Sequence, residues 1–538
     1  MCRGLSSFCR SRSTFSKRRS AFVTQTTSIG PTGIRREIVQ LPLFLQLFGV
    51  SALSMILPSI HGLVMNDHLA SRAFLYAGLL GLVAFTLIAI AHAGRKPLDG
   101  ALGPLLSLLS AFVFLPVFFA VPFLEALPTT RFMNVYFEMV SALTTTGATM
   151  FNPERLSDTL HLWRAQVGWM GGLLMWVTAS AILAPLHLGG FEVTAQAEPG
   201  RPDDRIGARM GRITPRQRLL RTTQALLPIY FGLTLLLWLL LVIGGETALV
   251  ALCHAMSVMA TSGISPIGGV AEAQVGVTGE AVMMLFMLFA LSRLTFSKDT
   301  VTATQGGLMT DPEFRIGLLV VIGVPLLLFA RHWIGAFEVE VEVDGTRALH
   351  ALWGGLFTVL SFLSTTGFVS EHWAEAQNWS GLRTPGLVLM GLALIGGGVA
   401  TTAGGVKLLR VFALYQNGVR EMDRLVYPNS VSGAGAAGRR LQSNGAFIAW
   451  IFFMLFAMSL AGVTLLLTLT GASFDAAVVM SVATLSTTGP LIEHAADKPI
   501  HLIELGVAAK IILSGAMVLG RLETLAIIAL MTPNLWRA

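Results

Sequence analysis

Long apolar runs decide most of what this chain can be. Stretches of 18 or more residues with almost no charge recur from residue 41 to the C-terminus, and each is long enough to cross a hydrocarbon core as a helix. Of the 538 residues, 54% are hydrophobic and only 12% are charged. A soluble domain carries about 25% charged residues. The chain therefore reads as an all-α polytopic membrane protein. Cys2, Cys9 and Cys253 have neither metal-ligand nor disulfide spacing. The formal charge of +7 comes with no nucleic-acid-binding motif; in a membrane protein the informative question is where the charge sits.

Four short segments, each between two of these runs, share a hydroxyl-and-glycine pattern. They are Leu143-Thr144-Thr145-Thr146-Gly147-Ala148-Thr149, Ala260-Thr261-Ser262-Gly263-Ile264-Ser265, Ser364-Thr365-Thr366-Gly367-Phe368 and Ser486-Thr487-Thr488-Gly489-Pro490. A short, mostly apolar stretch too brief to span a bilayer precedes each one, at 132–143, 248–259, 347–361 and 474–483. The order span, short helix, tip, span then repeats four times. Its spans are 101–123 and 161–188, 226–244 and 280–292, 317–333 and 385–409, and 447–468 and 503–531. The tip glycines fall roughly 105–120 residues apart, an internal repeat. Spans 41–64 and 73–92 lie in front of the repeat and have no tip. The expected organisation is a basic arm (1–36), two extra helices (37–97) and four membrane-pore-membrane units (98–200, 201–299, 300–425 and 426–538), with ten spans and four re-entrant hairpins.

Charge separates along the same lines. With the first span entering from the cytoplasm, the arm, the Arg95-Lys96 turn and the loops holding Arg201 to Arg221, Arg293 to Arg315 and Lys407 to Arg440 all fall inside, as the positive-inside bias asks. Ten spans place both termini in the cytoplasm. The hairpins then open on the outer face, where Glu125, Glu246, Glu338, Glu371, Glu375 and Glu493 collect. An acidic mouth concentrates cations.

The tips suit one chemistry. A re-entrant loop leaves backbone carbonyls outside helix and sheet, which is tolerable at membrane depth only where the chain lines a cavity or is buried in protein. Carbonyls around a narrow axis can replace the hydration shell of a cation. Glycine at each tip permits left-handed dihedrals, and the C-terminal ends of the short helices favour a positive ion below them. The candidate ion ligands are Thr145, Thr146, Gly147, Ser262, Gly263, Thr366, Gly367, Thr488 and Gly489. The motifs hold no acidic side chain, so a weakly hydrated monovalent ion fits better than Mg²⁺, which keeps waters and wants carboxylates. A single Thr-Thr-Gly is ordinarily a packing site; four in equivalent places point to a filter. No catalytic motif accompanies it. A secondary transporter of a small organic solute with discontinuous helices is the alternative; it requires two inverted halves. A non-transporting scaffold would have no axial column of oxygens.

Two features bear on gating. The run from Gly396, Gly397 and Gly398 through Thr401, Thr402, Gly404 and Gly405 should break the second span of the third unit. A broken span below a filter is a lid over the path, and the plain alternative is a helix packed on small residues. Arg521 lies inside the last span, where charge is costly. It either donates to carbonyls of the broken segment or sits near the surface and pairs with Glu523.

Taken with Trp169-Met170-Gly171-Gly172, Thr401-Thr402-Ala403-Gly404-Gly405-Val406-Lys407, Gly520-Arg521-Leu522-Glu523 and Leu530-Met531-Thr532-Pro533-Asn534-Leu535-Trp536-Arg537, the tips resemble those of the TrkH/KtrB-type potassium uptake transporters, and the two leading helices resemble the TrkH-like branch. The resemblance implies a pseudo-fourfold axis, K⁺ as the transported ion and no cofactor in this chain. It also implies filter glycines at Gly147, Gly263, Gly367 and Gly489, an intramembrane gating loop at 396–405 contacted by Arg521, and a place in the bacterial inner membrane among its lipids. In related plant transporters a Ser at the first glycine position goes with sodium permeation, so Gly147 resembles the potassium-selective pattern. Members form homodimers and bind a cytoplasmic TrkA-like nucleotide-binding subunit that senses NAD or ATP. The second tip departs by having Ser262 immediately before its glycine, and the third lacks one Thr.

Overall fold

The structure is a computed structural model, and it describes residues 41–92, 102–184, 190–191, 215–292, 311–335, 345–382, 384–427, 443–496 and 498–523. The basic arm, most of the interhelical basic loops and the motif from Leu530 to Arg537 lie outside the described residues.

Among the described residues, every regular element is helical. In front of the repeat stand α1 (Leu43–Ser54), α2 (Ile56–Val64) and α3 (His68–His92). The expected single first span is broken at Met55, because the ring of Pro58 cannot donate to the Ser54 carbonyl. Unit one is α4 (Leu102–Ala126), pore helix α5 (Phe132–Leu143) and α6 (Asp158–Thr178). Unit two is α7 (Pro215–Ile243), pore helix α8 (Ala248–Ala260) and α9 (Gly276–Met287). Unit three is α10 (Pro312–Gly335), pore helix α11 (Gly345–Leu363), a surface helix α12 (Trp373–Ser380), α13 (Pro385–Ile395) and α14 (Leu408–Val426). Unit four is α15 (Ser443–Leu469), pore helix α16 (Phe474–Leu485), a turn of helix α17 (Leu491–His494) and α18 (Val507–Leu522).

Seven of the described helical stretches are long and apolar enough to cross a membrane: α1 with α2, α3, α4, α6, α7, α10 and α15. The second spans of units two, three and four are shorter. α9 and its terminal 3-10 turn cover Gly276–Leu291, α13 stops at Ile395, and α18 is described only to Leu522. The reason is a division of labour. The first helices of units two, three and four face outward; only 28% of the apolar window of α7, α10 and α15 is buried, against 44% for α4, which the leading helices cover, and 72% for α6. An inner helix packed on protein can be interrupted, since neighbouring groups re-satisfy its backbone, whereas a lipid-facing one cannot.

The units close on one another in a cycle. α6 packs on pore helix α8 of the next unit, α9 on α11, α13 on α16, and α18 returns to α5 of the first unit. Side chains repeat the pattern: Trp353 on α11 donates to Glu280 on α9 at 2.7 Å, and Lys510 on α18 donates to Asn134 on α5 at 2.8 Å. The result is four membrane-pore-membrane units around a pseudo-fourfold axis, with two further helices docked on unit one. There α2 lies against α6, and Gln166 donates to the Ser54 carbonyl at 2.8 Å.

Close approach sets two glycines. A Cβ on Gly171 of α6 would run into the carbonyl oxygen of Leu143, the last residue of α5; one on Gly520 of α18 would strike the carbonyl of Leu485, the last residue of α16. The inner helices of units one and four thus touch the backbone end of their own pore helices, which any side chain would push away. Gly171→Val should therefore cost about 1–3 kcal/mol through overpacking and lower the melting temperature in detergent. Gly232→Ala on α7, where a Cβ meets nothing within 4 Å, should leave it unchanged or slightly higher.

Candidate functional site: a ring of four pore tips

Each pore helix ends in the same way. The first residue past the end, or the second, takes a left-handed backbone: Thr145, Thr261, Thr365 and Thr487, at φ 53°, 51°, 57° and 55°. Its N–H returns to the helix at Ala142, Val258, Phe362 and Thr484, 2.9–3.3 Å away. The next N–H, of Thr146, Ser262, Thr366 or Thr488, reaches the carbonyl five residues back at Ser141, Ser257, Ser361 or Ala483, 2.8–2.9 Å away. This pair of bonds is the Schellman closure, which ordinarily puts glycine at the left-handed position. Here a β-branched residue occupies it four times, against a steric cost of about 1–3 kcal/mol each.

The glycine follows two residues later. Gly147, Gly263 and Gly367 are themselves left-handed, at φ 75°, 65° and 83°. Gly489 is not among the left-handed residues, which corrects the expectation that the glycine of every tip serves that purpose. It precedes Pro490, which steers its predecessor toward extended backbone, and Pro490 begins the turn of α17. Gly489 serves by close approach instead: a Cβ there would collide with Gly147 and Ala148. The same test traces the whole circuit. A Cβ on Gly147 would strike the Ser262 carbonyl oxygen, one on Gly263 the Thr366 carbonyl oxygen, and one on Gly367 would lie 3.1 Å from the Pro490 ring. The N–H of Gly489 donates to the Thr146 carbonyl at 2.5 Å. Tips from residues far apart in sequence thus form one closed ring, and Thr145, Thr146, Ser262, Thr366 and Thr488 are all buried in it.

Hydroxyls buttress three of the tips from behind: Thr144 with Thr146 at 2.8 Å, Ser364 with Thr366 at 3.0 Å, and Ser486 with Thr488 at 3.3 Å. The second tip has Ala260 in that place, and Ser262 donates to Ser257 at 3.2 Å instead. The departure seen in its sequence is therefore a rerouted hydrogen bond. The left-handed threonines behave differently. The Thr145 and Thr487 hydroxyls are buried without a hydrogen-bond partner among the described residues. The Thr365 hydroxyl accepts from the Gly404 N–H at 2.8 Å. Buried orphan hydroxyls are uncommon in a packed interior; as acceptors beside a ring of carbonyls, they fit a cation.

Behind the ring, buried acids hold the chain that leaves the first and third tips, and a buried histidine meets the chain that leaves the second. Glu138 on α5 pairs with Arg164 on α6 at 2.7 Å and accepts from the Met150 N–H at 2.9 Å. Glu280 accepts from the Glu371 N–H at 2.8 Å and from Ser370 Oγ at 2.7 Å. His254 meets Ser265 at 2.9 Å. None of these acids was among the sequence candidates. The signal was present, since ionisable residues inside apolar segments mark functional or paired positions.

Below the ring, the glycine-rich run breaks the span between α13 and α14. Gly396 caps α13 at φ 71°, and Ala400, Gly405 and Lys407 are also left-handed. The segment is tied on every side. Gly398 donates to Ala290 at 3.0 Å, the Val399 N–H to Glu313 at 3.1 Å, and Thr401 to the Gly398 carbonyl at 2.8 Å. Thr402 reaches the Met259 carbonyl at 3.3 Å, under the second tip. A Cβ on Gly397 would meet the Ala290 carbonyl, and one on Gly404 the fourth tip at Ser486 and Thr487. The loop thus lies directly against the third and fourth tips and against the end of the second pore helix. Arg521 is buried and donates to the Thr402 carbonyl at 2.7 Å. Glu523 pairs with Arg410 at 2.6 Å, and that guanidinium also stacks 3.6 Å over Phe452. Lys407, which donates to Ala403, adds a further buried cation.

Four pore helices converging on a ring of backbone and hydroxyl oxygens, with a broken inner span beneath, define a pore-loop cation-conducting membrane protein rather than an enzyme. The chain belongs to the TrkH family of cation transport proteins, whose family model matches residues 120–537. It is 31% identical over 432 residues to the Trk system potassium uptake protein TrkH of Vibrio parahaemolyticus, covering 78% of this chain and 83% of that one. It is 30% identical over 493 residues to the Trk system potassium uptake protein TrkH of Salmonella typhimurium, covering 90% and 96%. The crystal structure of the potassium transporter TrkH from Vibrio parahaemolyticus superposes with a TM-score of 0.76 at 25% identity, over 94% of this chain and all of the other.

The left-handed threonines yield a test that separates folding from function. Thr145→Gly relieves a strained backbone, offset partly by the greater freedom of glycine in the unfolded chain. The variant should melt at the same temperature as the parent or higher, by up to about 1 kcal/mol of stability, yet pass cations more slowly because the hydroxyl is gone. Thermal unfolding and tracer uptake on one preparation read both effects.

Proposed function

We propose that this protein takes up K⁺ across the bacterial inner membrane through the ring of four tips. The observation that carries the reading is the closure of four equivalent tips on one another, with a left-handed threonine beneath each. An ion at the ring would exchange its hydration shell for the carbonyls of the tips and for the hydroxyls of Thr145 and Thr487, which have no hydrogen-bond partner among the described residues. Carbonyl and hydroxyl oxygens without carboxylates favour a monovalent ion that sheds water readily. The relatives named as potassium uptake proteins support K⁺ as that ion. Four units in one order around one ring do not suit an organic-solute carrier built from inverted halves.

The loop from Gly396 to Lys407 is the proposed gate. It lies against the third and fourth tips, and the side-chain hydrogen bonds that tie it to its surroundings include one donated by Arg521 and ones accepted by Glu313 and Thr365. Displacing it would open the path below the ring. The family reading extends to both termini in the cytoplasm, a homodimer, and a cytoplasmic TrkA-like nucleotide-binding subunit sensing NAD or ATP that would act on this loop.

Two substitutions test the reading. The protein should restore growth at low K⁺ to a strain lacking K⁺ uptake, and Gly147→Ser should shift preference from K⁺ toward Na⁺ in tracer competition. Unchanged selectivity at equal expression would remove the first tip from the filter. Arg521→Ala should raise flux by loosening the loop; flux equal to or below that of the parent would count against a gate held in this way.

A further inference from the structure

The fourth tip differs from the other three in what it offers to the ring. The carbonyls of Gly147, Ser262, Gly263, Thr366 and Gly367 accept no backbone hydrogen bond among the described residues. The carbonyls of the fourth tip are engaged by its own chain. Thr488 accepts from the Leu491 N–H at 3.2 Å, Gly489 from the Ile492 N–H at 3.0 Å and Pro490 from the Glu493 N–H at 3.1 Å. These bonds make the turn of α17, and an oxygen bonded in a helical turn is drawn along that turn. The tip also turns a donor inward, since the Gly489 N–H meets the Thr146 carbonyl at 2.5 Å. An N–H repels a cation where a carbonyl attracts it.

What the fourth tip adds instead is the ring of Pro490, which is half-buried. A Cβ on Gly367, in the adjacent unit, would lie 3.1 Å from Cβ, Cγ and Cδ of Pro490. At the two preceding junctions the corresponding Cβ, on Gly147 or Gly263, meets a carbonyl oxygen, that of Ser262 or Thr366. Pro490 thus stands where the cycle calls for the Thr488 carbonyl. It also reaches further. A Cβ on Gly263 would come within 2.7 Å of Cγ and 3.1 Å of Cδ of Pro490, although unit two lies diagonally opposite unit four in the cycle of packed helices. A side chain that meets both its neighbour and its diagonal counterpart lies across the centre. It is held there: the pyrrolidine fixes its own φ, Leu491 and Ile492 are buried, and α17 packs on α13 and α16.

Saturated carbons coordinate no cation. We propose that Pro490 is a specificity-determining residue of the ring, a wedge that replaces the ligands of the fourth tip, narrows the aperture and leaves the ion to the oxygens of the other three. Carbonyls in a flexible filter can move apart for a larger ion, whereas a rigid pyrrolidine cannot. The size limit therefore falls on the largest monovalent cations. The proposal rests on the reading of this ring as the K⁺ path.

The test is uptake of tracer Rb⁺ and Cs⁺ in competition by proteoliposomes holding the full-length protein. The ratio of the two ions is set at the ring, so it reads the wedge whatever the loop below does to total flux. Pro490→Ala removes Cγ and Cδ, and Pro490→Gly removes the whole ring; each should raise Cs⁺ uptake relative to Rb⁺ several-fold. Pro490→Val gains the same backbone N–H as Pro490→Ala but refills the space, so its ratio should stay several-fold below that of the Ala variant. Melting temperatures in detergent, taken on the same preparations, separate this from a merely structural role, which would lower melting without moving the ratio. Ratios equal to the parent's in both the Ala and Gly variants, or equal in the Ala and Val variants, overturn the wedge, while Rb⁺ uptake by the parent keeps the transport reading. Rb⁺ uptake by none of these proteins overturns both.

Discussion

The structure depends on how four helices stop. A helix ending inside a membrane leaves carbonyls without partners, and each pore helix here meets that problem with the same pair of returning N–H bonds around a left-handed threonine. The closure turns the chain sharply enough for a second run to leave beside the first. It also fixes which residue comes next to the centre. A glycine at the left-handed position would be easier to fold. Threonine in its place puts a hydroxyl between the ring and the loop below, and backbone strain retained at four equivalent sites is what a functional constraint would leave behind.

The rest of the molecule holds those turns together. The inner helix of each unit packs on the pore helix of the next, and the fourth returns to the first, so no tip can move without its neighbours. Backbone contact at Gly171 and Gly520 and the buried acids Glu138 and Glu280 fasten the two ends of a tip, one before the glycine and one after it. Breaking a buried pair such as Glu138 with Arg164 would leave a charge unmatched in low dielectric, a cost of about 3–5 kcal/mol. These acids are therefore supports for the ring, although they never reach it.

The broken span beneath obeys the same economy of backbone partners. Between Gly396 and Lys407 the helical ladder is replaced by bonds to Ala290, Glu313, Thr365 and Arg521, which belong to three different units. A segment held by single bonds from several bodies is stable while those bodies keep their places and loosens when any of them shifts. That is a physical basis for a gate answering to a partner elsewhere on the protein.

The membrane class, the helical spans and the four equivalent tips were legible in the sequence, because apolar length and a repeated motif are local properties of the chain. The pore helix from Phe132 to Leu143 was legible to the residue, and so was the interruption at Gly396, since glycine clusters break helices wherever they fall. Which threonine turns left-handed was not: Thr145 was a candidate, while Thr261, Thr365 and Thr487 were not, because a β-branched residue enters that region only when surrounding bonds force it. Nor could spacing choose between the two readings of Arg521. Only the assembled ring brings Thr402 to it and leaves Glu523 to Arg410, a partner more than a hundred positions away. Local sequence determined what each segment would become, and the tertiary structure alone decided which segments meet, because ring closure and buried pairing are energies of contact between parts of the chain that carry no record of one another.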